Sequence, residues 1–312
     1  MKPSAARGHL DTERSNPSSE KLDLMSTTEG LSCILDEDAG IVGAVRNASK
    51  EIVAAVDLIV PRLREGGRLF YVGAGTSGRL GLLDAVECPP TFQTEPGQVQ
   101  AILAGGPGAF LRSVEGAEDQ FEGALPELTA ATLSERDIVL GIAAGGTTPF
   151  VHGALQFARE RSAATIFLAC VSADQVTDAA DVSIRVLTGP EVLTGSTRMK
   201  AGTATKLVLN AISTLSMTRL GKVHGNLMVD LNAGANSKLI ERGVRMIQEI
   251  TDASATRALE LLERASYRVK VACVMHVHGL DPAEATAQLE HHFGHLRAAV
   301  STDSETRSRQ TK

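Results

Sequence analysis

Five short apolar runs, each followed by a polar or glycine-rich turn, constrain the fold more than any other feature of this chain. They lie at residues 68–73, 99–104, 137–143, 164–171 and 182–187. Runs of four to eight apolar residues bounded by turn signals read as strands buried on both faces. Helical periodicity fills the gaps, at 77–86, 107–118, 149–161 and 198–220. Strands separated by helices form right-handed crossovers, hence an α/β fold: a five-stranded, mostly parallel sheet sandwiched by helices. Only 3% of residues are aromatic and Trp is absent, so Ala, Val, Leu and Ile must fill that core.

Outside the alternation, residues 37–65 carry apolar positions at helical spacing, and Glu65-Gly-Gly67 ends that helix. Residues 234–250 read as one more helix. From Asp252, with Asp252 or Ser254 as the cap, the pattern is helical throughout. The first 24 residues are polar and are expected to be extended or disordered in isolation. The expected organisation is therefore an N-terminal extended segment (1–36), a sheet domain (37–250), a small helical domain (251–301) and a polar tail (302–312).

Of the 312 residues, 43% are hydrophobic and 22% charged, as in ordinary globular chains. The net charge of −6 gives no basic field for nucleic acid or acidic lipid. No apolar run reaches the ~18 residues of a membrane span, and the N-terminus lacks the apolar stretch of a signal peptide. A cytoplasmic location is the resulting expectation. Cys33, Cys88, Cys170 and Cys273 are scattered, which argues for small buried hydrophobes over a disulfide framework or a zinc site. No metal is expected either. The pair His291/His295 has clip spacing but no carboxylate or thiol partner.

In α/β sheets ligands bind at the carboxyl ends of the strands. Gly73-Ala-Gly75-Thr76-Ser77-Gly78 fits the G-x-G-x-x-G pattern, follows a strand and opens a helix. Amides and the helix dipole there favour an anion, with a plain structural turn as the alternative. A dinucleotide would need an acidic residue ending the second strand. Here that strand ends in Ala104-Gly-Gly-Pro, and the hydroxyls of Thr76 and Ser77 suit a phosphate monoester better. The third strand ends in Gly145-Gly146-Thr147-Thr148-Pro149, a second set of amides and hydroxyls or simply a turn before a helix. A third candidate holds Thr194, Ser196, Thr197 and Lys200. Ser196 or Thr197 alternatively serves only as an N-cap, and Lys200 faces ligand or solvent. Glu87 stands beside Pro89-Pro90, and Glu118 lies in Val114-Glu-Gly-Ala-Glu-Asp119. For any helix-surface glutamate the ordinary role is solvation.

Together these residues resemble the N-acetylmuramic acid 6-phosphate etherases, and more distantly glucokinase regulatory protein. The resemblance runs from Leu10-Asp-Thr-Glu-Arg-Ser-Asn-Pro17 and Leu22-Asp-Leu-Met-Ser26 through the 73–81 loop, Asp84-Ala-Val-Glu-Cys-Pro-Pro-Thr-Phe92, Ala104-Gly-Gly106 and the 114–119 stretch. It continues to Leu193-Thr-Gly-Ser-Thr-Arg-Met-Lys-Ala-Gly-Thr203 and Gly225-Asn-Leu-Met-Val-Asp230. It implies a sugar isomerase (SIS) domain with a small C-terminal helical, UBA-like domain, no cofactor, a sugar-phosphate ligand, and a cytoplasmic homodimer in bacterial cell-wall sugar recycling. It also implies loss of D-lactate from N-acetylmuramic acid 6-phosphate to leave N-acetylglucosamine 6-phosphate. By motif the two catalytic glutamates fall on Glu87, the acid, and Glu118, the base, and burial by Cys88 and the prolines is expected to desolvate Glu87. The phosphate contacts fall on Ser77 and the 145–148 loop. One departure stands out. Where that family usually carries Ala-Ser-Gly-Arg-Thr-Pro, this chain has Ala144-Gly-Gly-Thr-Thr-Pro149, losing a serine hydroxyl and an arginine.

Rival readings are a non-catalytic sugar-phosphate sensor on the same fold, a nicotinamide oxidoreductase, and a sugar-phosphate isomerase. The sensor needs neither glutamate, the oxidoreductase lacks its ribose acid, and release of lactate separates the isomerase.

Overall fold

A computed structural model of the protein describes residues 7–231 and 233–301. The 302–312 tail and residues 1–6 of the N-terminal segment lie outside the described residues. The chain forms two compact units. The first takes in the residues up to Val86 together with Pro96–Ser213; the second takes in Glu87–Glu95 and the residues from Thr214.

The first unit is built on a five-stranded sheet of β1 (Leu69–Gly73), β2 (Val99–Leu103), β3 (Ile138–Ile142), β4 (Ala164–Ala169) and β5 (Val182–Arg185), in the order β2-β1-β3-β4-β5. Every pairing is parallel. All five expected strands are present. Alternate side chains define two faces. Phe70, Val72, Val139 and Phe167 join one buried cluster with Val151, Leu155 and Phe157 of α6 (Pro149–Glu160). Tyr71 points the other way, where Gly81 of α4 (Gly75–Phe92) lies against its Cβ and Asp84 accepts its hydroxyl at 2.8 Å. Asp84 also accepts Asn210 Nδ2 at 2.7 Å and Ser213 Oγ at 3.0 Å from α7 (Lys200–Arg219). One buried carboxylate thus ties β1, α4 and α7.

Several local expectations are corrected. The helix expected over 37–65 is three helices, α1 (Thr27–Asp38), α2 (Ile41–Asn47) and α3 (Ser49–Arg64). The breaks fall at Ala39-Gly40 and at Ala48, where the chain turns; Val42 and Val53 end up exposed. No α-helix covers 107–118. Two 3-10 turns, Pro107–Phe110 and Ala117–Asp119, flank irregular backbone. Gly105, Gly106 and Gly116 all take positive φ there, which α-helix forbids. A short helix, α5 (Leu125–Ala130), was not anticipated from the sequence.

The N-terminal segment differs most. It folds as 3-10 turns at Asp11–Glu13, Pro17–Ser19 and Leu22–Leu24. Leu10 is fully buried in the same cluster as Phe70 and Phe167, and Thr12 is fully buried too. Hydrogen bonds pin it: Asn16 Nδ2 donates to Pro190 O at 3.1 Å, and Ser19 Oγ donates to Val192 O at 2.7 Å.

The second unit holds a two-residue hairpin, β6 (Val223–His224) with β7 (Leu227–Met228), and the helices α8 (Ser237–Thr251), α9 (Ala255–Arg264), α10 (Val269–His278), α11 (Pro282–His291) and α12 (Leu296–Val300). Ser254 caps α9, while Asp252 ends α8 in left-handed backbone. Cys273 is wholly buried, and burial pushes its thiol up to about 12. No described helix is long and apolar enough to cross a membrane.

At the amino edge of the sheet, buried Asp137 accepts the Arg68 amide at 2.9 Å, Arg68 Nη2 at 2.8 Å and the Ser134 amide at 2.8 Å. Burial opposes ionisation, but the bonds from Arg68 and Ser134 prevail and hold the carboxyl below its ordinary value. A depressed folded pKa stabilises above the unfolded value of about 3.9 and loses that contribution as pH falls through the folded value. The stability difference between wild type and Asp137→Asn should therefore be constant near neutrality and shrink below about pH 4, as read by urea unfolding at stepped pH. In the same assay at pH 7, Leu10→Ala should cost about 3 kcal/mol, the cost of a truncated core leucine; a loss below 0.5 kcal/mol, the range of surface changes, would mean the segment adds nothing to the core.

Candidate active site

The glycine loop after β1 is shaped by close packing. Gly75 opens α4 with φ +53, and a Cβ on Gly73 would lie 2.7 Å from the Gly78 nitrogen. The helix start can therefore approach the strand end only with glycine at these positions. Ser77 and Thr76 sit half-buried in the first turn of α4. The methyl of Thr76 lies 3.6 Å from where a Cβ on Gly202 of α7 would stand.

Above this loop is a cavity of about 270 Å³ lined by Gly75, Arg79, Ser113, Glu118 and Asp119, among others. That is just below the usual ~300–1,000 Å³ of small-molecule pockets and suits a single sugar better than a dinucleotide. Arg79 braces one wall, donating to Phe110 O at 3.1 Å and Ala109 O at 2.9 Å. Glu118 belongs to the 3-10 turn after Gly116, not to a helix end, and is half exposed. Arg7 lies 3.9 Å from Glu118 and 4.0 Å from Asp119, so the N-terminal segment brings a cation to these two carboxylates. Nothing in the sequence pattern marked Arg7. A larger cavity, about 300 Å³, lies in the second unit against Arg242, Arg245 and Glu249, and no glycine-rich strand end contributes to its lining.

Glu87 belongs to the second unit, on the last part of α4, and is exposed; Cys88 beside it is buried. The desolvation expected for Glu87 is therefore absent, because the helix turns Cys88 inward and Glu87 outward.

After β3, Ala143 to Thr148 turn into α6. Gly146 adopts φ +77, and its carbonyl meets His152 Nε2 at 2.7 Å. Thr147 and Thr148 are partly exposed, and Thr148, the N-cap position, makes no side-chain capping bond.

The third candidate segment is held differently from either sequence reading. Fully buried Glu191 accepts the amides of Lys200 and Ala201, both at 2.9 Å, and so caps α7. Ser196 and Thr197 are therefore not its cap. Lys200 is buried and hydrogen-bonds Glu37 of α1, and this bond draws the Glu37 carboxyl below its ordinary value. Lys200 thus meets neither solvent nor the cavity above Gly75. Burial, then the charge of Glu191, pushes the neighbouring Cys170 thiol up to about 12, which makes it inert packing. Among the described residues no three His, Cys, Asp or Glu side chains are grouped to hold a metal.

Fold and sites define the class first. The SIS domain pattern matches residues 118–215, and that of the glucokinase regulatory protein N-terminal SIS domain matches residues 51–159. Whole-length relatives are more specific. The chain is 51% identical over 294 residues to the N-acetylmuramic acid 6-phosphate etherase of Crocosphaera subtropica, covering 94% of this chain and 96% of that protein. It is 54% identical to that of Gloeobacter violaceus, over the same shares, and 53% identical to that of a Nostoc species over 95% and 96%. The chain belongs to the N-acetylmuramic acid 6-phosphate etherase family.

Removing the Glu191 carboxylate would orphan two buried amides, each worth about 1–3 kcal/mol when left unpaired. Glu191→Ala should therefore lower unfolding free energy by about 3 kcal/mol. Glu191→Gln, which keeps one acceptor, should cost about half as much. Equal stability of all three proteins in urea would refute the capping role.

Proposed function

We propose that this protein cleaves the D-lactyl ether of N-acetylmuramic acid 6-phosphate, giving N-acetylglucosamine 6-phosphate and D-lactate. The observation that carries the reading is Glu118 on the rim of a sugar-sized cavity that also includes Gly75, in a chain more than half identical to named etherases.

An alkoxide is a poor leaving group, so the ether yields only after the sugar opens to its aldehyde. The C2 proton is then acidic. Glu118, as base, removes it; the C2 electron pair forms the C2–C3 double bond; the C3–O bond breaks, and a proton passes from Glu87 to the departing lactate oxygen. Water then adds across the unsaturated aldehyde at C3. Gly75, Thr76 and Ser77, with Gly146, Thr147 and Thr148, serve as the phosphate contacts; Ser196 belongs to the same ligand set. Lys200 acts through Glu37 to hold the start of α7. Residues 37–250 form the sugar-phosphate domain in this reading, with 251–301 as the helical appendage.

The reading extends to a cytoplasmic homodimer in cell-wall sugar recycling. Its support is α1, which buries none of its residues within the chain and exposes Leu31 and Leu35; Leu24 before it and Val42 and Val53 after it in sequence are exposed too.

Incubation with N-acetylmuramic acid 6-phosphate should release D-lactate. Glu118→Ala should slow release by roughly 10²–10⁴-fold and abolish exchange of the C2 proton with deuterium, while Glu87→Ala should lose release by a similar factor but keep exchange, because the base remains. Wild-type exchange in Glu118→Ala would remove Glu118 as base. Normal release by both variants would leave a sugar-phosphate sensor as the function.

A further inference from the structure

The loop after β3 carries no side chain at position 145, yet the structure brings a hydroxyl beside that place from a distant part of the chain. Thr12, on the Asp11–Glu13 turn, is wholly buried, and its Oγ1 has no hydrogen-bond partner. An orphaned buried hydroxyl costs of the order of 1–3 kcal/mol, so its retention calls for a reason. The hydroxyl faces the loop: a Cβ on Gly145 would stand 3.6 Å from Thr12 Oγ1. Gly145 itself is partly exposed. The place in which its side chain would lie is therefore bounded by that hydroxyl.

The loop is already prepared for an anion. Its carbonyls are turned inward: Ala143 O accepts the Gly146 amide at 2.8 Å, Ala144 O the Cys170 amide at 2.8 Å, and Thr148 O the Val151 amide at 3.1 Å, while Gly146 O meets His152. Because the peptide is trans and planar, a carbonyl pointing to His152 turns the Thr147 N–H the opposite way. The twelve-residue α6 begins at Pro149 with its positive dipole end toward this loop. An outward Thr147 amide, two threonines and a helix N-terminus thus belong to the loop that carries Gly145, and Thr12 is the buried donor facing that residue.

We propose that Thr12 is a phosphate ligand: its hydroxyl donates to a phosphate oxygen seated where the side chain of residue 145 would lie. The proposal rests on the sugar-phosphate reading above and adds the N-terminal segment to the binding machinery. The same segment reaches the neighbouring loops. Glu13 Oε2 lies 3.2 Å from where a Cβ on Gly195 would stand, Asp11 N donates to Gln175 Oε1 at 3.3 Å, and Arg7 stands beside Glu118. Arg14 turns away to pair with Asp11 at 2.9 Å. The segment thus touches three of the loops at the carboxyl edge of the sheet.

Calorimetric titration of the full chain with inorganic phosphate tests this without reference to lactate chemistry. Thr12→Val keeps the volume and removes the hydroxyl; it should weaken phosphate binding about tenfold, the low end for a hydrogen bond to a charged group. Thr12→Ser should bind as the wild type does. Gly145 has no positive φ and only an ordinary contact at its Cβ position, so Gly145→Ala is sterically allowed, and because its methyl would take the space proposed for the phosphate oxygen it should weaken phosphate binding in the wild-type background. With N-acetylmuramic acid 6-phosphate, Thr12→Val should raise KM by a similar factor and leave kcat within about twofold, as expected for loss of uniform binding. Unchanged phosphate affinity in Thr12→Val, equal weakening in Thr12→Ser, or no phosphate binding by the wild-type chain would each overturn the assignment. A wild-type chain that binds phosphate through Thr12 but releases no lactate would instead overturn the etherase reading and leave this one standing.

Discussion

Five strands running in one direction oblige every strand-to-helix turn to open at one edge of the sheet. Here α4 follows β1, α6 follows β3 and α7 follows β5, so three helix N-termini and their glycine-, serine- and threonine-rich turns gather along that edge. Three dipole ends of one sign create a demand for negative charge. The chain answers it in two ways. At α7 a buried glutamate of the protein itself takes the position. At α4 and α6 small residues form the turn, and Thr148 makes no side-chain capping bond on α6. In the function proposed above, a helix start that takes ligand differs from a structural one in lacking an internal anion.

The edge would be bare without the N-terminal segment. A parallel sheet hides both faces under helices but not its ends, and residues 7–19 lie along this one. Their anchoring is sparse: one leucine in the core, one buried threonine, and side-chain bonds from Asn16 and Ser19 to the backbone of 190–192. A few well-placed contacts suffice because the rest of the segment stays solvated and loses little on ordering.

That sparseness explains which parts of the molecule were legible in the sequence. The strands were plain, since burial on both faces writes an uninterrupted apolar run. The helices α6 and α7 were plain for the complementary reason, a long periodic stretch behind a turn. The N-terminal segment was not, because Leu10 and Thr12 are two buried residues in a polar stretch and no period reveals them. The 107–118 stretch misled because its apolar spacing resembles a helix, while the glycines at 105, 106 and 116 require backbone no helix permits. Motif and resemblance singled out Gly75 and Glu118, which line the cavity, together with Thr76 and Ser77 beside it in sequence. Arg7, Glu191 and the Glu37 partner of Lys200 were not singled out: each acts across a separation in sequence, Glu37 and Lys200 being 163 residues apart, and such pairing has no local signature.

Lys200 shows why residue type alone misassigns a role. A lysine one turn beyond a Thr-Gly-Ser-Thr stretch looks like an anion ligand. In the folded chain the dipole end that would have drawn the anion is already occupied by Glu191, and the ammonium turns to α1. Two opposite charges are therefore buried close to the same helix start, each with its own partner: Glu191 on the amides, Lys200 on Glu37. Breaking either pair would leave an uncompensated charge in a poorly hydrated place, which costs far more than either pair contributes when intact. The arrangement ties the start of α7 to α1. Because capping is done by a carboxylate from another segment, Ser196 and Thr197 need not fold back onto the helix, as an N-cap side chain would.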